Sequence, residues 1–140
     1  MDRNLALELV RVTEAAALAS ARYMGKGDPQ AADNAAVEAM EIAFRGIRID
    51  GRVVIGDDDT AEDCSLRSGG SVGEGGEIRL DLVVDPLESK HSLADGQANA
   101  ISAIAVGQTD SFYPYRHEYM EKIAVGPDAA FNIDLSASVF

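Results

Sequence analysis

The segment Ile78 to Lys90, IRLDLVVDPLESK, sets Asp81 and Asp85 inside a run of apolar and β-branched residues, and Glu88 follows just after Pro86. Carboxylates are rarely buried unless they are paired or bound to a metal. A short buried strand that ends in acids and breaks at a proline presents oxygen ligands to a hard cation such as Mg2+ or Mn2+. A second acidic group follows Gly56, where Asp57, Asp58 and Asp59 stand in a row. Like charges in sequence repel, so this run is either a solvated loop or an arrangement around a cation. Asp33 falls near the start of a helical segment, where an acid by itself favours the positive end of the helix dipole. His91 and His117 are scattered, and such histidines are more often surface or capping residues; neither is assigned to the site.

The elements that must carry these acids read as follows. From Asp2 to Met24, Leu5, Leu9, Val12, Ala16, Ala19 and Tyr23 recur at helical spacing. Gly25 and Gly27 stop that helix. Asp28-Pro29 is an N-cap followed by Pro at the first helical position, and a second helix runs to about Arg45. Its apolar face is Ala32, Ala36, Val37, Met40 and Phe44, and the Ala-rich sides of both helices suit close contact. Asp50-Gly51 reads as a turn into a strand at Val53–Ile55. The Gly-rich stretch from Thr60 to Gly76 has no Walker phosphate loop and reads as a mobile connection. His91 to Gly96 is a helical turn or loop, and Ala100 to Val106 is a strand or a short core helix. Phe112, Tyr113, Tyr115 and Tyr119 form an aromatic cluster of core or interface type. Ile123 to Val125 and Phe131 to Leu135 read as strands, and Val139-Phe140 is an apolar tail. The fold class is α/β (α+β): two N-terminal helices layered on a mixed β-sheet.

Residues 1–140 make one domain by length, and a hydrophobic content of 46% argues for a packed core. Acids outnumber bases 24 to 12, for a net charge of −12. That field repels polyanions, so nucleic acid and anionic membranes are poor partners. Cys64 stands alone, which fits a reducing compartment without disulfides. No apolar run approaches the roughly 18 residues of a membrane span, and the amphipathic N-terminus is no signal peptide. The expected location is the cytoplasm.

The order of these pieces resembles the N-terminal half of the class II (GlpX-type) fructose-1,6-bisphosphatases. The resemblance rests on LELVRVTEAAALASARYMGKGD, AAD at Ala31–Asp33, AVEAM, IDGRVVIG, DLVVDPLE, GQANAISAIAVG and YMEKIAVGPDAAFNIDLSASV. It implies a layered α/β sugar phosphatase that depends on Mg2+ or Mn2+. Carried over by position, it implies metal ligands at Asp33, Asp57, Asp85 and Glu88. In such chemistry a cation offsets charge on the transferring phosphoryl group and activates a water.

Three departures bear on activity. The family signature continues Gly-Thr after the glutamate, and here it reads Ser89-Lys90. The threonine hydroxyl is implied to position the attacking water. An ammonium donates hydrogen bonds and accepts none, so Lys90 is expected to inactivate the site by acting as a tethered cation among the carboxylates. Where the family has IGEGE, this chain has Asp57-Asp58-Asp59, which shortens the first ligand arm by about 1.5 Å and removes a glycine's backbone freedom. The family's C-terminal half, which supplies a further acid and the bases that hold sugar phosphates, has no counterpart in these 140 residues. The expectation is a non-catalytic relative, a pseudoenzyme that acts as a scaffold or partner-binding subunit; the alternative is an active, metal-dependent fructose-1,6-bisphosphatase completed by another chain. Apolar surface around Phe112–Tyr119 and Val139-Phe140 is expected to make a homo-oligomer or a complex with a protein partner.

Overall fold

The computed structural model describes residues 3–113 and 123–134. Helix α1 spans Arg3–Ala21 and α2 spans Pro29–Phe44. As the sequence requires, Asp28 caps α2: its carboxylate accepts the Ala31 N–H at 2.9 Å, and Pro29 opens the first turn. The small residues Ala16, Ala32 and Ala36 are fully buried, which lets the two helices approach closely. Met40 and Phe44, on the same face of α2, fill the space toward the sheet.

The sheet has four strands in the order β2-β1-β3-β4: β1 is Asp50–Ile55, β2 Ser71–Val72, β3 Arg79–Glu88 and β4 Ile101–Gln108. β1 and β3 run parallel; the β1–β2 and β3–β4 pairs are antiparallel. The helices cover one face. Leu82 and Val84 of β3, Val53 of β1, and the partly buried Ile104 and Val106 of β4 pack into that core. The expected layered α/β arrangement is therefore present. Because β1 and β3 are parallel neighbours, their carboxyl ends lie side by side, the position where open α/β sheets gather ligands. This is what brings the Asp57 loop and the Asp85–Glu88 segment together from distant parts of the sequence.

A short helix, α3, spans Lys90–Ala94. Its last carbonyls would be left without partners. The Gly25 N–H donates to the Leu93 carbonyl at 3.0 Å and the Gly27 N–H to the Ala94 carbonyl at 2.9 Å, so the α1–α2 link fixes α3 beside the start of α2.

Several local expectations are corrected. β3 does not break at Pro86 but runs on to Glu88. Pro86 has no N–H to donate, and it sits where the pairing with β4 is irregular, between Asp85 and Glu88. Asp50-Gly51 belongs to β1 and is no turn; a Cβ on Gly51 would meet Leu82 and Val72 at 2.8 and 2.9 Å, so the glycine admits the neighbouring strands. The segment 60–76 is not a free connection. It contributes β2, the fully buried Leu66 and a set of anchoring hydrogen bonds. Of Ala100 to Val106, the part from Ile101 onward is strand β4. Ile123 to Val125 is exposed and has no regular structure, and Pro127–Asn132 is a 3-10 helix where Phe131 to Leu135 reads as a strand. In both places the local β-branched and apolar pattern finds no partner strand among the described residues. Tyr115, Tyr119, His117 and Val139-Phe140 lie outside the described residues.

Candidate metal and phosphate site

The four carboxylates named from the sequence, Asp33, Asp57, Asp85 and Glu88, line one open pocket of about 860 Å³ together with Lys90. β1 delivers Asp57 just beyond its last residue, and β3 delivers Asp85 and Glu88 at its end. Asp33 comes down from the first turns of α2, and its side chain is only 4% exposed. A carboxylate buried to that degree needs a partner. Lys90 supplies it: Nζ lies 2.8 Å from Asp33 Oδ2, and the lysine side chain is 29% exposed. The hydrogen bond it donates to Asp33, aided by the charges of Asp33, Asp57 and Asp59, holds the Lys90 ammonium above its ordinary pKa, so it stays charged. His91, not assigned to the site from the sequence, also lines the pocket.

The direction of Lys90 is set by the backbone before it. Ser89 is in the left-handed conformation (φ 66°, ψ 45°) and starts α3. The family signature has glycine there, the residue that adopts this conformation without strain. The turn has kept the glycine shape with a serine in it.

The remaining acids repel one another. Burial and then the charge of Asp33 raise the pKa of Asp57. Burial, the neighbouring Glu88 carboxyl and the charge of Asp57 push Asp85 up to about 7. The acid run at 57–59 divides by role. Asp57 faces the pocket. Asp58 also lines the pocket, and its carboxylate accepts from the Ser68 N–H at 2.9 Å and the Ser68 hydroxyl at 3.1 Å. Arg67 donates to the carbonyls of Asp58 and Thr60 at 2.7 and 2.6 Å. Gly56 must be glycine here, because a Cβ would lie 1.9 Å from the Leu66 carbonyl. Glu41 of α2 ties the next stretch down. It accepts from the Ser65 N–H and hydroxyl, both at 2.7 Å. Burial works against its ionisation, but the bonds from Ser65 and Cys64 outweigh that and lower its pKa. These braces fix the loop that carries Asp57, and the sequence gives no local sign of them.

Asp81 does not belong to the site. Its carboxylate is 1% exposed and bridged by Arg52 of β1, with Nε at 3.0 Å and Nη2 at 2.9 Å. The Asp110 N–H adds a third bond at 2.7 Å, and the Asp110 side chain accepts from the same guanidinium at 2.7 Å. Arg52 and Asp81 are direct partners in the parallel β1–β3 register, and only that register would have revealed the pair.

An all-carboxylate donor set suits Mg2+ or Mn2+ by chemistry. The arrangement does not. Among the described residues, no three His, Cys, Asp or Glu side chains are gathered closely enough to hold a metal ion. One carboxylate oxygen of Asp33, Oδ2, is already bonded to an ammonium.

Comparison with known proteins bears on what this pocket is. A family model for bacterial fructose-1,6-bisphosphatase, glpX-encoded, matches residues 3–140. The chain is 46% identical over 136 residues to fructose-1,6-bisphosphatase 1 class 2 of Escherichia coli K12, covering 97% of the chain and 40% of that protein. A class 2 fructose-1,6-bisphosphatase of Haemophilus influenzae is 44% identical over 137 residues, covering 97% of the chain and 41% of that protein. The chain thus spans about two fifths of the length of these curated relatives.

Proposed function

The chain belongs to the glpX-encoded bacterial fructose-1,6-bisphosphatase family, and from that premise we propose that it is a non-catalytic relative of these phosphatases, a folded scaffold that binds a protein partner. The observation that supports this is the 2.8 Å contact between Lys90 and Asp33. Lys90 stands where the family signature has its threonine. Its tethered charge neutralises the buried Asp33, a task that falls to a metal when no such cation is built in. Lys90 also brings no lone pair with which to hold an attacking water. Asp57, one methylene shorter than the glutamate of the family pattern, adds a second mismatch. Groups that act as a unit in catalysis lose activity far out of proportion when one is misplaced. The free thiol of Cys64 fits a cytoplasmic setting.

A second reading has one observation in its favour: Asp33, Asp57, Asp85 and Glu88 converge on one pocket. Under it the protein is an active fructose-1,6-bisphosphatase that uses Mg2+ or Mn2+ once another chain completes it. Phosphate release from fructose 1,6-bisphosphate in Mn2+, with and without the portion of the Escherichia coli relative outside the matched 136 residues, separates the two. The expected result is no turnover by the wild type. Turnover by the wild type that disappears in Asp85→Ala would establish the second reading.

A further inference from the structure

A second pocket, of about 530 Å³, lies between α2 and residues 60–65 and shares no lining residue with the pocket of Asp33 and Asp57. Its volume falls in the range of small-molecule sites, about 300–1,000 Å³. The buried side chains of Val37, Phe44 and Val72 give it an apolar base. The wall facing α2 is held in place. Ser65 donates its N–H and its hydroxyl to Glu41, both at 2.7 Å, and the Thr60 hydroxyl donates to the Asp57 carbonyl at 2.8 Å. Over the apolar base the lining is charged: the carboxylates of Glu38, Glu41 and Asp63 stand against one guanidinium, Arg45. Among the described residues, none of these four side chains takes part in an ion pair.

We infer that this second pocket binds an extended organic dication, an aliphatic chain with an ammonium or guanidinium group at each end. Anions are repelled by the excess of acid. A compact divalent metal needs its oxygen ligands gathered at about 2.0–2.6 Å, and among the described residues no three His, Cys, Asp or Glu side chains are so placed. The acids are instead spread over two walls. Glu38 and Glu41 stand one helical turn apart on α2, and Asp63 belongs to the stretch that faces them. Charges distributed in this way around an apolar base match a ligand whose own charges are separated by methylenes. Each cationic end gains charge-assisted hydrogen bonds to carboxylates, and the chain displaces water from Val37, Phe44 and Val72. Burial opposes the ionisation of Glu41, yet the bonds from Ser65 and Cys64 hold its carboxyl below its usual range. The first pocket differs in carrying its own ammonium, Lys90, bonded to Asp33. Because the two pockets share no residue, the inference is independent of the Lys90 reading.

The test is calorimetric titration with diaminobutane and with diaminohexane at physiological ionic strength, where attraction between exposed charges is largely screened. Butylamine, with one charge, and butanediol, with none, serve as comparisons. At least one diamine is expected to bind at millimolar concentration or below, and at least tenfold more tightly than butylamine. Glu38→Gln and Asp63→Asn should each weaken it at least fivefold. Both residues are exposed, so the variants fold, and circular dichroism checks this. Asp57→Asn, in the first pocket, should leave the affinity unchanged. Hydrogen exchange gives a second readout: the diamine should protect amides in residues 38–45 and 60–65, and not those in residues 85–91. Failure of both diamines to bind would overturn the inference. So would butylamine binding as tightly as the diamines, or a loss of binding in Asp57→Asn with none in Glu38→Gln and Asp63→Asn.

Discussion

Asp81 and Asp85 lie four residues apart on β3 and point to the same side of the sheet, yet their surroundings differ at every step. Asp81 is met by the Arg52 guanidinium and a backbone N–H, all within 3.0 Å. The Arg52 hydrogen bonds lower its pKa. Asp85 is met by burial and by other carboxyls, which raise its pKa to about 7. Among the described residues, the ammonium that lines the pocket, Lys90, is committed to Asp33. A carboxylate that the fold satisfies is a structural element. Carboxylates that the fold crowds together mark a place shaped for positive charge from elsewhere. Lys90 meets that demand in part.

The largest effect expected from breaking this contrast is at Asp81. Asp81→Ala should destabilise the protein by about 1.5–3 kcal/mol in urea melts, the usual worth of hydrogen bonds to a charged group. Asp81 has a lowered folded pKa, so its contribution is present above the unfolded value of about 3.9 and is lost as pH falls through the folded value. The acid limb of the stability curve should flatten in Asp81→Asn.

Asp85 should behave in the opposite sense. Its folded pKa is raised, so the folded protein holds the proton more tightly. The resulting stability is full below about pH 4 and is lost as pH rises through about 7. Asp85→Asn, measured in EDTA, should remove that decline and stabilise the protein at pH 8 by about 1–2 kcal/mol, a figure reduced for solvent screening of a half-buried group. Equal destabilisation by Asp81→Asn and Asp85→Asn would erase the distinction between the two.

The smallest effect is at Ser89, which holds a glycine conformation at the entrance to α3. Ser89→Gly should stabilise by about 0.5–1 kcal/mol, the left-handed strain of serine less the extra chain entropy of glycine. It should leave the Lys90–Asp33 pair in place. A loss of stability would mean that the serine side chain has a use of its own.

Much of this was legible in the residues. The periodicity of Leu5, Leu9, Val12 and Ala16 fixed α1, and Asp28-Pro29 marked the start of α2 through a cap that is present in the fold. The acid pocket was reached through the family resemblance, which gave residues that periodicity alone could not connect. The pairing of Arg52 with Asp81 was hidden, because it depends on the register of two strands 29 positions apart. The brace of Asp58 on Ser68 was hidden for a like reason, so three adjacent acids looked equivalent. The strand readings near Ile123 and Phe131 failed because a β pattern specifies a strand only when a partner edge receives it.

The central question is whether a built-in ammonium stands where a divalent ion would otherwise sit. Calorimetric titration of Mn2+ into the wild type and into Lys90→Thr addresses this directly. The expected outcome is no measurable binding by the wild type at millimolar Mn2+ and at least tenfold tighter binding by the variant. Micromolar binding by the wild type, unchanged by Lys90→Thr, would contradict it.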